Sequence, residues 1–198
     1  MGNEAEREFW IKMSVLEVRS QARFADLAYR NINPKAMRST MATFSSIHSF
    51  LSHCAMISKM LKAVDRNIPD NRVSRFIDKI LIKIGIRRKI ISIGQVLDVP
   101  NSSIIHNRKF RNHLEHYDDR LKRWIRRRGT GVNLGIQNIG PKTAIQATNM
   151  VYVSNYDPNT DTFTFVDKDF NLSILSLEAQ RIGKISDTWV KRNISPYI

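Results

Sequence analysis

The feature that most constrains this chain is a helical period that runs through its first two thirds and stops at Gly129. Apolar residues recur three or four positions apart from Glu4 to Arg30, from about Pro34 to Val64, and again from 104 to 128. Such spacing places the apolar side chains of each segment on one side of a helix. The pattern predicts a mainly α fold in which residues 1–128 form an antiparallel helical bundle.

The remainder of the chain has a different character. Residues 129–147 contain several glycines and are predicted to be a linker, and residues 148–198 are predicted to be a small C-terminal extension. Met150–Val153 and 162–166 alternate as strands do, and Asp157, Pro158 and Asn159 supply a turn, so a β-hairpin is expected. Ser176 is predicted to begin a last helix, and residues 85–99 fit a helix or a strand equally well.

The net charge is large and unevenly distributed. Thirty-two Lys and Arg against eighteen Asp and Glu give +14. Residues 1–143 hold 27 basic and 12 acidic residues, whereas residues 144–198 hold 5 and 6. A basic helical part is typical of proteins that bind polyanions such as RNA. A solvated basic surface, or one that fits an acidic partner protein, remains an alternative at this stage.

Several function classes are disfavoured. No apolar stretch approaches the roughly 20 residues needed to span a bilayer, so we expect no membrane contact and a cytoplasmic location. Cys54 is a lone cysteine without neighbours at zinc-site spacing. Gly129, Gly131 and Gly135 precede no Gly-Lys-Ser/Thr ending, which argues against a P-loop. We therefore expect no metal and no other cofactor.

The helix predicted over residues 104–128 carries the candidate chemistry. Asn112 and His116 are four positions apart and share one side of it, whereas Arg111 points roughly 140° away from His116. For Arg111 and His116 to act on one phosphate, the helix must be distorted or a second copy of the chain must supply half of the site. This geometry predicts a homodimer.

These residue types suit RNA cleavage without a metal ion. Histidine, whose unperturbed pKa is about 6.5, exchanges protons at neutral pH. Arginine stabilises the negative charge that develops on the phosphate in the transition state. Other interpretations remain open at this point. Arg111 and Glu115 are spaced for an ordinary ion pair, His113 is placed for packing, and His116 alone is typical of a solvated side chain.

A basic tract follows these residues directly, and its cations are predicted to contact the RNA backbone. An alternative is that they merely favour the carboxyl end of a helix, where the dipole attracts cations. Trp124 continues the apolar side of the helix and is predicted to be core. The residues predicted to bind RNA are Arg108, Arg120, Arg123, Arg126, Arg127 and Arg128, and Lys122 lies among them.

The stretch from Asn107 to Trp124, NRKFRNHLEHYDDRLKRW, resembles the signature helix of the HEPN superfamily. That signature is an arginine, usually followed by a polar residue, and then a histidine after four to six intervening positions. Arg111, Asn112 and His116 match it. The segment Phe44–Leu61 is similar to the second helix of bacterial members, and the likeness covers roughly residues 1–128.

The resemblance implies a fold and an activity. HEPN proteins are helical bundles that usually dimerise, and many are metal-independent endoribonucleases that act as toxins or antiviral effectors. By position, Arg111 would stabilise the phosphate, Asn112 would orient it or the histidine, and His116 would transfer a proton. His113 is a second histidine within the motif, so the identity of the acting histidine stays open.

The resemblance also implies partners: RNA, a second copy of the chain, and an antitoxin or other regulatory protein. The alternative function is a catalytically inactive HEPN-like module that binds nucleic acid, a nucleotide or a partner protein.

Overall fold

A computed structural model describes residues 2–32, 39–63, 91–107, 116–129, 133–141, 143–144 and 150–194. These ranges hold five helices, one short 3-10 turn and four strands. The helices are α1 (Gly2–Arg30), α2 (Thr40–Leu61), α3 (Ile93–Val96), α4 (Tyr117–Arg128) and α5 (Leu172–Asn193), and the 3-10 turn is Ile104–His106. The strands are β1 (Asn133–Ile139), β2 (Met150–Asp157), β3 (Thr162–Phe165) and β4 (Lys168–Asn171).

The core is built around α1, which packs against both α2 and α5. Small residues allow α1 and α5 to approach closely. A Cβ atom added at Gly183 of α5 would lie 3.1 Å from the Cβ of Ala22 on α1, closer than ordinary van der Waals contact. Ala25 and Ala179 are also buried in this core. A larger side chain at Gly183 would therefore push the two helices apart.

Ion pairs and hydrogen bonds along its edge fix how α5 lies on α1. Asp187 accepts hydrogen bonds from the guanidinium groups of both Arg19 and Arg23. About two turns earlier on α5, the amide of Gln180 donates to Asp26 at 2.9 Å. These contacts join residues more than 150 positions apart, so the two ends of the described chain are parts of one core.

The four strands form one mixed sheet in the order β1–β2–β3–β4. β1 runs parallel to β2, whereas β2, β3 and β4 are antiparallel neighbours. Position 135 of β1 has room only for glycine, because a Cβ atom there would lie 2.3 Å from the ring of Tyr152 on β2. Phe163 of β3 packs edge-on against Phe44 of α2, with ring centroids 6.1 Å apart. The sheet is thereby attached to α2.

Asp161, at the end of the turn between β2 and β3, ties the sheet to two helices. Its carboxylate accepts hydrogen bonds from the hydroxyls of Tyr29 on α1 (2.6 Å) and Tyr156 on β2 (2.8 Å). Its carbonyl oxygen accepts from the N–H of Leu172, the first residue of α5. Burial, and then the Asp161 carboxylate, raise the pKa of both tyrosines, so both hydroxyls stay protonated and keep donating.

The predicted fold class, an antiparallel helical bundle with a small C-terminal β-hairpin plus a helix, is wrong. The predicted hairpin joins residues 150–153 to 162–166, whereas the structure pairs residues 154–157 with 162–165 at the centre of a four-stranded sheet. The first additional strand, β1, lies in the segment predicted to be a linker. Its glycine suggested a loop, whereas Gly135 makes room for the ring of Tyr152. The second, β4, follows a turn without typical turn residues, described below.

The helix predicted over residues 104–128 also has the wrong bounds. Residues 104–106 form a 3-10 turn that ends at Asn107 in an extended conformation (ψ 111°). His116 has non-helical angles (φ −122°, ψ 37°) and precedes the first residue of α4. The last helix starts at Leu172 rather than at Ser176, because the Asn171 side chain accepts the N–H of Ile174 and caps it there. The domain limits proposed at residues 128 and 148 stay predictions.

None of the helices in the described ranges is long and apolar enough to cross a membrane. The residues 85–90, whose structure the sequence left open, lie outside those ranges. Of the remainder, Ile93–Val96 form α3, which Ser92 caps by accepting the N–H of Gln95.

Replacement of Asp161 by Ala is expected to lower the free energy of unfolding by about 2–4 kcal/mol, because the hydroxyls of the half-buried Tyr29 and the buried Tyr156 lose a charged acceptor. The left-handed backbone at Asp161 (φ 49°) adds to the cost for alanine. Urea unfolding measures the loss. Tyr29→Phe and Tyr156→Phe should each cost about 1–2 kcal/mol.

The matched control is Asp169→Ala, at an exposed carboxylate that accepts from Thr164 at 2.7 Å, with an expected loss below about 0.5 kcal/mol. Equal losses for Asp161→Ala and Asp169→Ala would contradict this role of Asp161.

Candidate nucleic-acid interface

Helix α4 carries most of the cations that the sequence singled out. Its charge order matches the helix dipole, since Asp118 and Asp119 lie in the first turn and three arginines lie in the last. The helix ends where Gly129 adopts a positive φ of 75° and its N–H donates to the carbonyl of Ile125 at 3.2 Å. The basic segment is therefore a stable helix end and not an extended tail.

Trp124 anchors α4 to the protein. Its side chain is buried in the main core, as the sequence predicted, and Leu121 packs partly against the same core. Arg120, the residue directly before Leu121, is half-buried, whereas Arg123, Arg126 and Arg127 are exposed. The helix thus turns one side to the core and presents its cations on the rest of its surface.

Arg128 is engaged differently from the other cations of α4. Its guanidinium lies 5.4 Å from the centre of the Trp124 ring and donates to the carboxylate of Asp167 at 2.8 Å. Stacking on the indole and pairing with Asp167 attach the end of α4 to the turn between β3 and β4. Arg128 therefore positions the helix relative to the sheet.

That turn consists of two residues with left-handed backbones, Val166 (φ 48°) and Asp167 (φ 65°), between the paired residues Phe165 and Lys168. Positive φ at both central positions is typical of a tight hairpin turn, but asparagine and glycine usually occupy it. A β-branched residue such as Val166 is strained there. Burial of its side chain and a hydrogen bond from its N–H to the carbonyl of Val153 (2.9 Å) hold it in place.

Helix α4 and this turn enclose a cavity of about 540 Å³. No carboxylate is among the described residues that line it. Arg123 is steadied by a hydrogen bond from its Nε to the carbonyl oxygen of Asp119 at 3.2 Å. The Nε of Arg120 is buried and finds no acceptor in the described part of the chain. The lining residues, which we call the basic pocket, are Arg120, Arg123, Arg126, Arg127, Val166 and Lys168.

The basic pocket is suited to phosphate groups. Guanidinium groups offer several N–H donors to phosphate oxygens in a planar arrangement, and an ammonium group adds a compact charge. Five cations that converge without a carboxylate repel one another until an anion enters. The arrangement can therefore bind a polyanion chain or a phosphate-bearing ligand.

His116 stands at the amino end of α4, exposed and outside the pocket lining. It precedes Arg120 by four positions and Arg123 by seven, the spacing of residues on one side of a helix. Its side chain does not cap the helix. The other members of the predicted catalytic group, Arg111 and Asn112, lie outside the described residues. So does Arg108, which was predicted to bind RNA.

The sequence did not identify Lys168 and Val166 as parts of this pocket. Lys168 is the only basic residue between positions 144 and 180, in a part of the chain that is nearly neutral overall. It reaches α4 because β4 lies at the sheet edge and the Arg128–Asp167 pair brings the turn to the helix. Nothing in the local sequence near residue 168 indicates this contact.

A second polar cluster joins the 3-10 turn to α5. Ser103 donates to Glu178, whose carboxylate also accepts two hydrogen bonds from Arg181 at 2.7 and 2.8 Å. The pKa of Glu178 is lowered, chiefly by the hydrogen bonds that Arg181 donates to it. Burial lowers the pKa of the nearby His106, and neither of its ring nitrogens has a hydrogen-bond partner among the described residues. These contacts connect the 3-10 turn to α5.

In the described ranges, no three His, Cys, Asp or Glu side chains lie close enough together to hold a metal ion.

Substitution of both Arg123 and Arg127 by Gln should raise the free energy of unfolding at low ionic strength. Like charges four positions apart on a helix destabilise it by roughly 0.2–0.5 kcal/mol, and this repulsion is screened in about 1 M salt. Thermal unfolding at both salt concentrations measures the effect.

Lys191→Gln/Arg192→Gln is the control. It removes the same charge from the last turn of α5, where the dipole favours cations, and should lower stability. If both double variants raised the free energy of unfolding, the cause would be the lower net charge of the protein and not repulsion within the pocket.

Comparisons with protein-family models, with curated proteins and with solved structures find no match to this chain. The resemblance to the HEPN superfamily thus rests on the motif residues alone.

Proposed function

We propose that this protein binds single-stranded RNA through the basic pocket and cleaves it without a metal ion. The observation that carries the proposal is the convergence of four arginines and Lys168 on one cavity whose described lining contains no carboxylate. Phosphate contacts of this kind supply most of the affinity of proteins for nucleic acids.

The dimensions of the pocket suit a polynucleotide strand. From Arg120 to Arg127 the helix rises about 10 Å, which is longer than the separation of neighbouring phosphates in one RNA strand. A strand that continues toward the amino end of α4 passes His116, about 6 Å along the axis from Arg120. Its imidazole is exposed to solvent at that end of the helix, and in this proposal it is the group that transfers a proton.

The catalytic roles come from the motif. Arg111 would stabilise the charge that develops on the phosphate, Asn112 would orient the phosphate or the histidine, and His116 would transfer a proton. Attack by the 2′-hydroxyl breaks the bond to the 5′-oxygen, leaving a 2′,3′-cyclic phosphate and a 5′-hydroxyl. In the proposed homodimer two chains contribute these groups to one cleft. The cytoplasmic location, the role as a toxin or antiviral effector and the antitoxin partner are part of the same proposal and follow from the resemblance.

A second candidate is an RNA-binding module without catalysis. The observation that favours it is that His116 is absent from the described lining of the pocket and that its side chain does not cap α4. The two candidates agree on the binding surface and differ in what His116 does, so they are separated by the cleavage experiment below.

Binding is tested by fluorescence anisotropy with a labelled single-stranded RNA. Arg123→Gln/Arg127→Gln should weaken binding at least about tenfold and reduce the slope of log affinity against log salt by about 1.4, since two phosphate contacts are lost. Lys191→Gln/Arg192→Gln, with the same charge change on α5, should retain most of the affinity. Equal losses in both variants would mean that RNA senses only the net charge of the protein.

Cleavage is tested in EDTA with the same RNA. Wild type should yield 2′,3′-cyclic phosphate ends, and a DNA strand should resist because it lacks the 2′-hydroxyl. His116→Ala and Arg111→Ala should each slow cleavage about a hundredfold or more.

Three outcomes would correct the assignment. Full activity of His116→Ala would remove His116 from catalysis. Loss of activity in His113→Ala alone would identify His113 as the acting residue. If RNA binds tightly to the wild type and is never cleaved, the second candidate, an RNA-binding module without catalysis, is the correct function.

A further inference from the structure

Helix α1 has apolar side chains on the side that faces away from the core. Phe9 is 65% exposed, Leu27 is 61% exposed, and Met13 and Phe24 are each 50% exposed. At 100° per residue, these four positions and Ser20 fall within about 60° of arc. We call this set of five residues the outer stripe.

The outer stripe lies opposite the side of α1 that is already used. The core-facing residues Val15, Val18 and Ala22 are buried beneath α2 and α5, and their positions on the helix are about 180° from the stripe. A helix that is apolar on both sides is typical of one that is buried all round. Among the described residues, the inner side of α1 has its neighbours in α2 and α5, whereas the large apolar side chains on the outer side remain exposed.

The stripe continues onto α2. The ring of Phe24 packs against the ring of His53, with centroids 5.4 Å apart, and Met56 is 39% exposed one turn further. Burial lowers the pKa of His53, so that its ring is neutral at neutral pH. The surface is therefore an uncharged band along α1, a helix about 43 Å long, with an extension onto α2.

The charges beside the stripe have opposite signs on its two flanks. Lys12 and Arg23 lie on one flank, where each also pairs with a carboxylate of its own chain, Glu8 at 2.6 Å and Asp187 at 3.0 Å, and Glu6 and Glu17 lie on the other. When two copies of such a helix pack side by side in parallel, a residue on one flank faces the opposite flank of the neighbour about five positions further on. Lys12 then meets Glu17 of the second copy, and the pair occurs twice by symmetry.

An antiparallel pairing has the opposite electrostatics, because like flanks then face each other. Lys12 would lie near Arg23 of the second copy, and Glu17 near its counterpart. The parallel arrangement also stacks each apolar residue of the stripe on its own equivalent, so that Phe9 meets Phe9 and Leu27 meets Leu27. The stripe is thus complementary to itself in one orientation.

We infer that the outer stripe of α1 is the interface at which two copies of this chain associate, with the two α1 helices parallel. The inference deepens the homodimer of the proposed function by naming the surface that holds it together. It does not depend on the basic pocket, which lies on α4 and the β3–β4 turn.

The first test is sedimentation at micromolar concentration. Wild type should sediment at roughly twice 22.9 kDa. Phe9→Glu/Leu27→Glu should raise the dimer dissociation constant about a hundredfold or more, since four carboxylates would enter the interface. Leu177→Glu, on α5 at 68% exposure, is the matched control and should leave the dimer intact. Circular dichroism checks that the variants keep their helices.

The second test exchanges charges and identifies the partner as a second copy. Lys12→Glu alone and Glu17→Lys alone should each weaken the dimer, because each creates two like-charged pairs. An equimolar mixture of the two variants should recover dimers, since every pair across the interface then has opposite signs. In an antiparallel interface Lys12→Glu alone would instead strengthen the dimer, because the new carboxylate would lie near Arg23 of the second copy, and a foreign partner predicts no recovery on mixing.

Several results would overturn the inference. A wild type that is monomeric at every concentration, or a dimer that survives Phe9→Glu/Leu27→Glu, would do so. A monomer that floats with phosphatidylserine vesicles through the same residues would assign the stripe to a membrane surface. The proposed RNA binding is judged separately: the monomeric variant should bind RNA with wild-type affinity per chain. If the monomeric variant still cleaves RNA, the proposed two-chain active site is wrong while the interface stands.

Discussion

The close contact between α1 and α5 is the constraint on which the rest of the structure depends. It exists because Gly183 carries no side chain where Ala22 approaches it, and because Asp187 binds two arginines of α1. Because the first and last helices are in contact, the chain between them must bring the start of α5 back to α1. The sheet fulfils this requirement: β2 and β3 lead into β4, and Asn171 ends β4 and caps α5. Asp161 then binds Tyr29 and Tyr156, linking the sheet to the same helix, α1.

The sequence could predict elements whose pattern is local. The strand character of β2 and β3, the burial of Trp124 and the cations of α4 are all visible along the chain, and the structure has them. The sequence could not predict features that depend on a distant neighbour. Gly135 has the properties of a loop residue until the ring of Tyr152 is placed above it, and Val166 has none of the properties of a turn residue.

Helical periodicity misled in two ways. An apolar residue every three or four positions suggested one helix over 104–128, but Ser103 caps a 3-10 turn and His116 lies outside α4. In α1 the helical period of apolar residues correctly predicted a helix, but it does not determine which apolar residues face the core. The core uses valines and alanines, while the larger Phe9 and Phe24 remain outside. Small side chains face α5 because the two helices are close, which is a property of the pair and not of α1 alone.

The Arg128–Asp167 pair has a consequence for the order in which the protein matures. Helix α4 is synthesised about forty positions before the turn that completes the wall of the basic pocket, and α5 follows later still. A nascent chain that has been synthesised only to Arg128 lacks Asp167, Lys168 and helix α5, which packs against α1. The basic helix thus acquires its final orientation late in synthesis, when the turn with Val166 has folded. Assembly of the phosphate-binding surface is in this way coupled to completion of the C-terminal sheet.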